Sequence, residues 1–177
     1  MADKKPHGLR PWLDDIRLED SGQYAYKGSH MKFSGDDGAY RAFRVKLGVC
    51  AALLIAATVA AGCLDVGELD NTYYVLIPYM LEVVLTAAFV WAAARLLLNV
   101  TVVRSYVFAQ TARRLPALAI LIALSAAATA VASAVLLALR RTIDVPCGIY
   151  LLLHAADCAC ALVAFRVLRG AKWESVE

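Results

Sequence analysis

One carboxylate, Glu82, stands near the middle of an otherwise apolar run from Tyr73 to Leu98. Few folds accept that arrangement. A hydrocarbon layer of about 30 Å takes around 20 helical residues at about 1.5 Å each, and this run is longer. Three more runs, Leu47 to Leu64, Leu115 to Leu139 and Ile149 to Leu168, approach or pass the same length with few ionisable groups inside. A membrane-barrel strand would need only about ten residues in strict alternation, a pattern these runs lack. Charged residues make up 19% of the chain, against about 25% in soluble domains. The chain therefore reads as an all-α integral membrane protein, a four-transmembrane-helix bundle.

The placement of the 18 Lys and Arg residues orients the runs. Lys4, Lys5, Arg10, Arg17, Lys27, Lys32, Arg41, Arg44 and Lys46 precede the first run. Arg95, Arg104, Arg113 and Arg114 lie at or within the link between the second and third, and Arg166, Arg169 and Lys172 sit at the C-terminal end. Only Arg140 and Arg141 remain for the other side, while the first link carries Asp65, Glu68 and Asp70. Positive charge stays inside, so both termini are expected in the cytoplasm and the protein in a bacterial-type inner membrane. Anionic lipid accounts for the basic surface without nucleic acid.

Residues 1–46 are expected to form a short cytoplasmic N-terminal segment, residues 47–169 the multi-pass transmembrane domain, and residues 170–177 a cytoplasmic tail. Alternation in Ile16–Glu19, Gln23–Lys27 and His30–Phe33, broken at Ser21-Gly22 and Gly28-Ser29, predicts a small β-meander. Tyr40 to Arg44 is expected to begin a helix that continues into the first run. Ala60-Ala61-Gly62-Cys63 resembles a lipobox, but the charged region before it is too long for such a signal and Ala60 replaces the usual Leu. Between the second and third runs, Asn99 to Arg114 has helical spacing and reads as an interfacial helix or an extension of the second span. Asn99-Val-Thr101 is a glycosylation sequon whose expected cytoplasmic location removes its meaning.

Small residues recur four apart in Gly48, Ala52, Ala56, Ala60, in Ser125, Thr129, Ser133, in Ala126, Ala130, Ala134, Ala138, and in Ala156, Cys160, Ala164. In lipid such stripes allow close helix approach, so they are expected at helix interfaces. Tyr73, Tyr74 and Tyr150 are expected at the outer membrane boundary, Trp91 and Trp173 at the inner one.

Chemistry is confined to a few residues. Glu82 lies about nine residues from the outer end of its run and Asp157 about eight from the outer end of the last, so their depths agree. His154 shares a helical face with Asp157. Glu82, His154 and Asp157 are thus a candidate intramembrane cluster, and ionisable groups at that depth invite a functional hypothesis. Cys63 and Cys147 fall near outer helix ends and form a candidate disulfide pair. A metal site built on His154, Asp157 and Cys158 or Cys160 is disfavoured because Cys160 points away from the His154 face. No cofactor and no catalytic residue is assigned, since no phosphate-binding loop, zinc-protease helix or nucleophile elbow occurs. The expectation is a non-enzymatic accessory or assembly component, with the bilayer and a membrane-protein partner or a second copy as its contacts. The alternative is a small proton-coupled solute or ion transporter using the Glu/His/Asp cluster.

Overall fold

The computed structural model describes residues 16–18, 24–26, 29–69, 71–98, 102–140 and 144–176, without the side chains of residues 16–18, 24–26, 68 and 140. The chain is mostly helical, and four helices are long and apolar enough to cross a membrane. They are α1 (Asp37–Gly62), α2 (Tyr73–Leu97), α4 (Leu115–Arg140) and α5 (Val145–Gly170), with the short α3 (Ser105–Gln110) between α2 and α4.

α1 starts ten residues before its apolar run because the sequence supplies a start signal there. The Asp36 carboxylate accepts from the Ala39 amide at 2.9 Å, and Asp37 follows in the first turn, where an acidic group suits the helix dipole. α2 carries Pro78 as its sixth residue, inside the helix, where it removes one helical hydrogen bond, whereas Pro146 opens α5, where the amide has no helical partner to lose. The long helices pack in a ring: α1 touches α2 and α5, and α4 touches α2 and α5. Sequential helices are therefore neighbours, and α2 and α5 stand on a diagonal.

Three strands gather at one end. β3 (His30–Phe33) is central in a sheet of order β4-β3-β5, pairing antiparallel with β4 (Val102–Arg104) and β5 (Trp173–Val176). The sheet thus joins the segment before α1, the link after α2 and the tail after α5. β1 (Ile16–Leu18) and β2 (Tyr24–Tyr26) form a separate antiparallel pair. The expected meander is corrected here, since β3 leaves β2 for distant partners. The turns expected at Ser21-Gly22 and Gly28 lie outside the described residues, as do the Asn99–Thr101 sequon, Asp70 and Arg141.

Aromatic packing shows why β3 goes where it does. The Phe33 ring lies 5.4 Å from Tyr40, 5.6 Å from Phe43 and 5.6 Å edge-on from Trp173, and Trp173 in turn lies 5.3 Å from Phe108. Such pairs add to simple area burial. Polar contacts lock the same end: Ser34 Oγ donates to Glu174, and Arg44 donates to the Leu97 carbonyl at the end of α2.

Two interface expectations change. The Ala52, Ala56 and Ala60 stripe of α1 faces outward, and the helix buries Phe43, Leu47, Cys50, Leu54, Thr58 and Ala61 instead. Larger side chains fill the space between α1 and its neighbours. Of the α4 stripes, Ser125, Thr129 and Ser133 are fully interior, whereas Ala134 and Ala138 are exposed; on α5 Ala164 is buried and Ala156 exposed. Tyr73, Tyr74 and Trp91 are exposed as boundary aromatics would be. Tyr150 is buried and Trp173 is half-buried in the sheet cluster, so neither belongs to a lipid-facing belt.

Candidate functional site

The interior is divided by depth. One apolar cluster near the sheet contains Leu47, Leu54, Phe89, Leu96, Ile122 and Leu168; a second, near the opposite end, contains Ala61, Val75, Tyr79, Leu136 and Tyr150. Between them every long helix contributes buried polar residues: Thr58 from α1, Glu82 and Thr86 from α2, Ser125, Thr129 and Ser133 from α4, and His154 and Asp157 from α5. The sequence places these residues at matching helical depths, and the ring of helices turns them inward.

Part of this layer satisfies itself. Thr58 donates to the Leu54 carbonyl at 2.8 Å, Ser125 to Leu121 at 3.0 Å, Thr129 to Ser125 at 3.0 Å and Ser133 to Thr129 at 2.8 Å. A hydroxyl bonded back into its own helix asks nothing of its neighbours. The α4 stripe is therefore packing, as its spacing suggests.

Glu82, His154 and Asp157 behave differently. His154 Nδ1 lies 2.9 Å from Glu82 Oε2 across the α2–α5 diagonal, with both side chains wholly buried. The approach is close but not aligned as an N–H···O hydrogen bond; the Glu82 and Asp157 carboxyls lie within hydrogen-bond reach of each other if they share a proton, and without one both Glu82 oxygens, both His154 nitrogens, Asp157 Oδ1 and Thr86 Oγ1 have no aligned hydrogen-bond partner. A buried polar atom left so costs about 1–3 kcal/mol. Asp157 Oδ2 is held by Thr58 Oγ1 at 3.1 Å, although the single Thr58 hydrogen is shared with the closer Leu54 carbonyl.

The imidazole is fixed by edge-on aromatic contacts. The Tyr150 ring meets it edge-on at 4.4 Å and the Tyr79 ring at 5.6 Å, and the Tyr79 hydroxyl donates to the Thr58 carbonyl at 3.2 Å. One ligand-type atom from each of Glu82, His154 and Asp157 lies within 4.8 Å of the other two. Among the described residues, these are the ones grouped closely enough to hold a cation. Comparison of the chain with protein families, curated proteins and solved structures finds no match.

The structure therefore brings together all three members of the sequence-derived cluster. Thr58, Tyr79, Thr86 and Tyr150 complete it. Thr58 is the only buried polar residue of α1, a signal present in the sequence but silent until the depths of all four helices are aligned. Cys63 and Cys147 are not joined: both are free thiols, Cys63 exposed beyond α1 and Cys147 buried in α5. The surface grooves lined by Arg113 and Leu118, by Phe43 and Arg166, and by Pro78 and Ser125 include none of the three cluster residues.

Proposed function

We propose that this chain is a four-span inner-membrane protein with both ends in the cytoplasm, acting as a non-enzymatic accessory or assembly component through its N-terminal segment, which leads into the sheet end. The observation that carries the reading is the β4-β3-β5 sheet, which gathers three separate polar segments at one end of the bundle. In the sequence, the segments before α1, between α2 and α4 and after α5 carry nearly all the Lys and Arg residues, which favours a cytoplasmic placement of that side. β4 and β5 are edge strands, and β5 is exposed along most of its length. Edges of this kind offer unpaired backbone groups to an added strand.

The test is co-purification from native membranes with and without residues 1–28. That cut spares β3, which a longer deletion would remove from the centre of the sheet. The expected result is a changed set of partners with the four helices still assembled; an unchanged set removes the docking role from the N-terminal segment. Proton flux and pH-dependent solute uptake in vesicles, compared between wild type and Glu82→Gln, decide the transport alternative. A wild-type flux abolished by that substitution would defeat the accessory reading.

A further inference from the structure

We infer that Glu82, His154 and Asp157 form a binding site for one divalent transition-metal cation, independently of whether the accessory reading holds. Three observations converge. The three side chains are 0 to 1% exposed, and one ligand-type atom of each lies within 4.8 Å of the others. Ligand atoms sharing one such ion stand about 3–4 Å apart, given bonds of about 2.0–2.2 Å, so a small rotation of one carboxylate closes the set. With both carboxyls ionised, the nitrogens and oxygens that would bind are also ones without an aligned hydrogen-bond partner. None of the three is turned back onto its own helix backbone as the α4 hydroxyls are; all three face one another instead.

Charge points the same way. Two carboxylates and one imidazole in a low-dielectric interior need about two positive charges to become neutral, and one divalent cation supplies both. The donor set selects among cations. Calcium and magnesium take oxygen-only shells with more ligands, and copper(I) prefers sulfur, whereas one imidazole nitrogen with two carboxylate oxygens suits zinc, iron(II), manganese(II) or cobalt(II).

The surroundings resemble the outer support that such sites need. Thr58 pins Asp157 Oδ2 and leaves Oδ1 free to bind, while Tyr79 and Tyr150 hold the imidazole plane. Thr86, one turn from Glu82 on the same buried stripe, has a hydroxyl without a partner.

The experiment uses the full chain in detergent. Elemental analysis is made on protein as isolated from zinc-supplemented cells, and again after chelation and reloading with zinc alone or cobalt(II) alone. The expected result is about one metal per chain, visible cobalt d–d bands without a thiolate charge-transfer band, and a fall to below about a tenth of that stoichiometry in Glu82→Gln and in His154→Gln. Cys63→Ser should retain the wild-type value. If either cluster variant fails to fold, the cobalt spectrum of wild type decides, because nitrogen/oxygen ligation and thiolate ligation differ in it. Absence of metal from both the isolated and the reloaded wild type, a thiolate band, or full retention of metal by a folded Glu82→Gln would each overturn the proposal.

Discussion

His154 Nδ1 and Glu82 Oε2 approach to 2.9 Å across the diagonal of the helix ring, joining two long helices that are not neighbours in it. Their energetic coupling follows from burial. Leaving either group alone in the interior strands a polar or charged side chain, at a cost of about 3–5 kcal/mol, whereas replacing both by apolar residues of similar size is close to neutral. Glu82→Leu and His154→Leu should therefore each destabilise strongly, and the double variant should recover most of the loss. Reversible unfolding in mixed micelles with chelator present measures all four corners of the cycle. Simple additivity would show that the contact carries no coupling.

A tighter relationship occurs one turn away. A Cβ built on Gly62 would run into the Tyr79 hydroxyl, the group that donates to the Thr58 carbonyl. Gly62→Ala should cost about 1–3 kcal/mol by overpacking. Tyr79→Phe alone loses one hydrogen bond, about 0.5–1.5 kcal/mol, and makes room for the methyl group. Thermal unfolding of Gly62→Ala/Tyr79→Phe should match that of Tyr79→Phe. A double variant less stable than both single ones would mean that the alanine clashes elsewhere.

Thiol exposure gives a check on the placement of the bundle in the membrane. Cys63 is exposed at the end of α1 remote from the sheet, while Cys50 and Cys147 are buried and Cys158 and Cys160 lie within α5. A membrane-impermeant maleimide added to intact cells should label wild type, and Cys63→Ser should abolish the signal. Labelling that survives this substitution would contradict the proposed orientation.

Local signals carried most of the helical architecture. Length, hydropathy and the Asp36 cap lie within the segments they describe, and the observed bounds of α2 and α4 fall within a residue of their apolar runs. Depth counting likewise joined Glu82 to Asp157, because helical rise converts sequence position into height. The sheet was illegible for the opposite reason. Nothing near His30 announces Val103 or Ser175 as partners, and the Gly and Ser residues after Tyr26 suggest a local hairpin that long-range aromatic packing at Phe33 and Trp173 overrides. The α1 stripe misled because small residues permit close approach without requiring it. Tyr150 misled because position near a helix end says nothing about which way the ring turns.

The sheet has a consequence for biogenesis. Two long helices separate β3 from β4, and two more separate β4 from β5. In a bilayer the three strands meet only if each pair of helices crosses and returns, so the sheet acts as a parity check on insertion. A single skipped crossing would strand β5 on the far side from β3, leave Phe33 and Trp173 without each other, and expose an unfinished edge to the quality-control machinery of the cell.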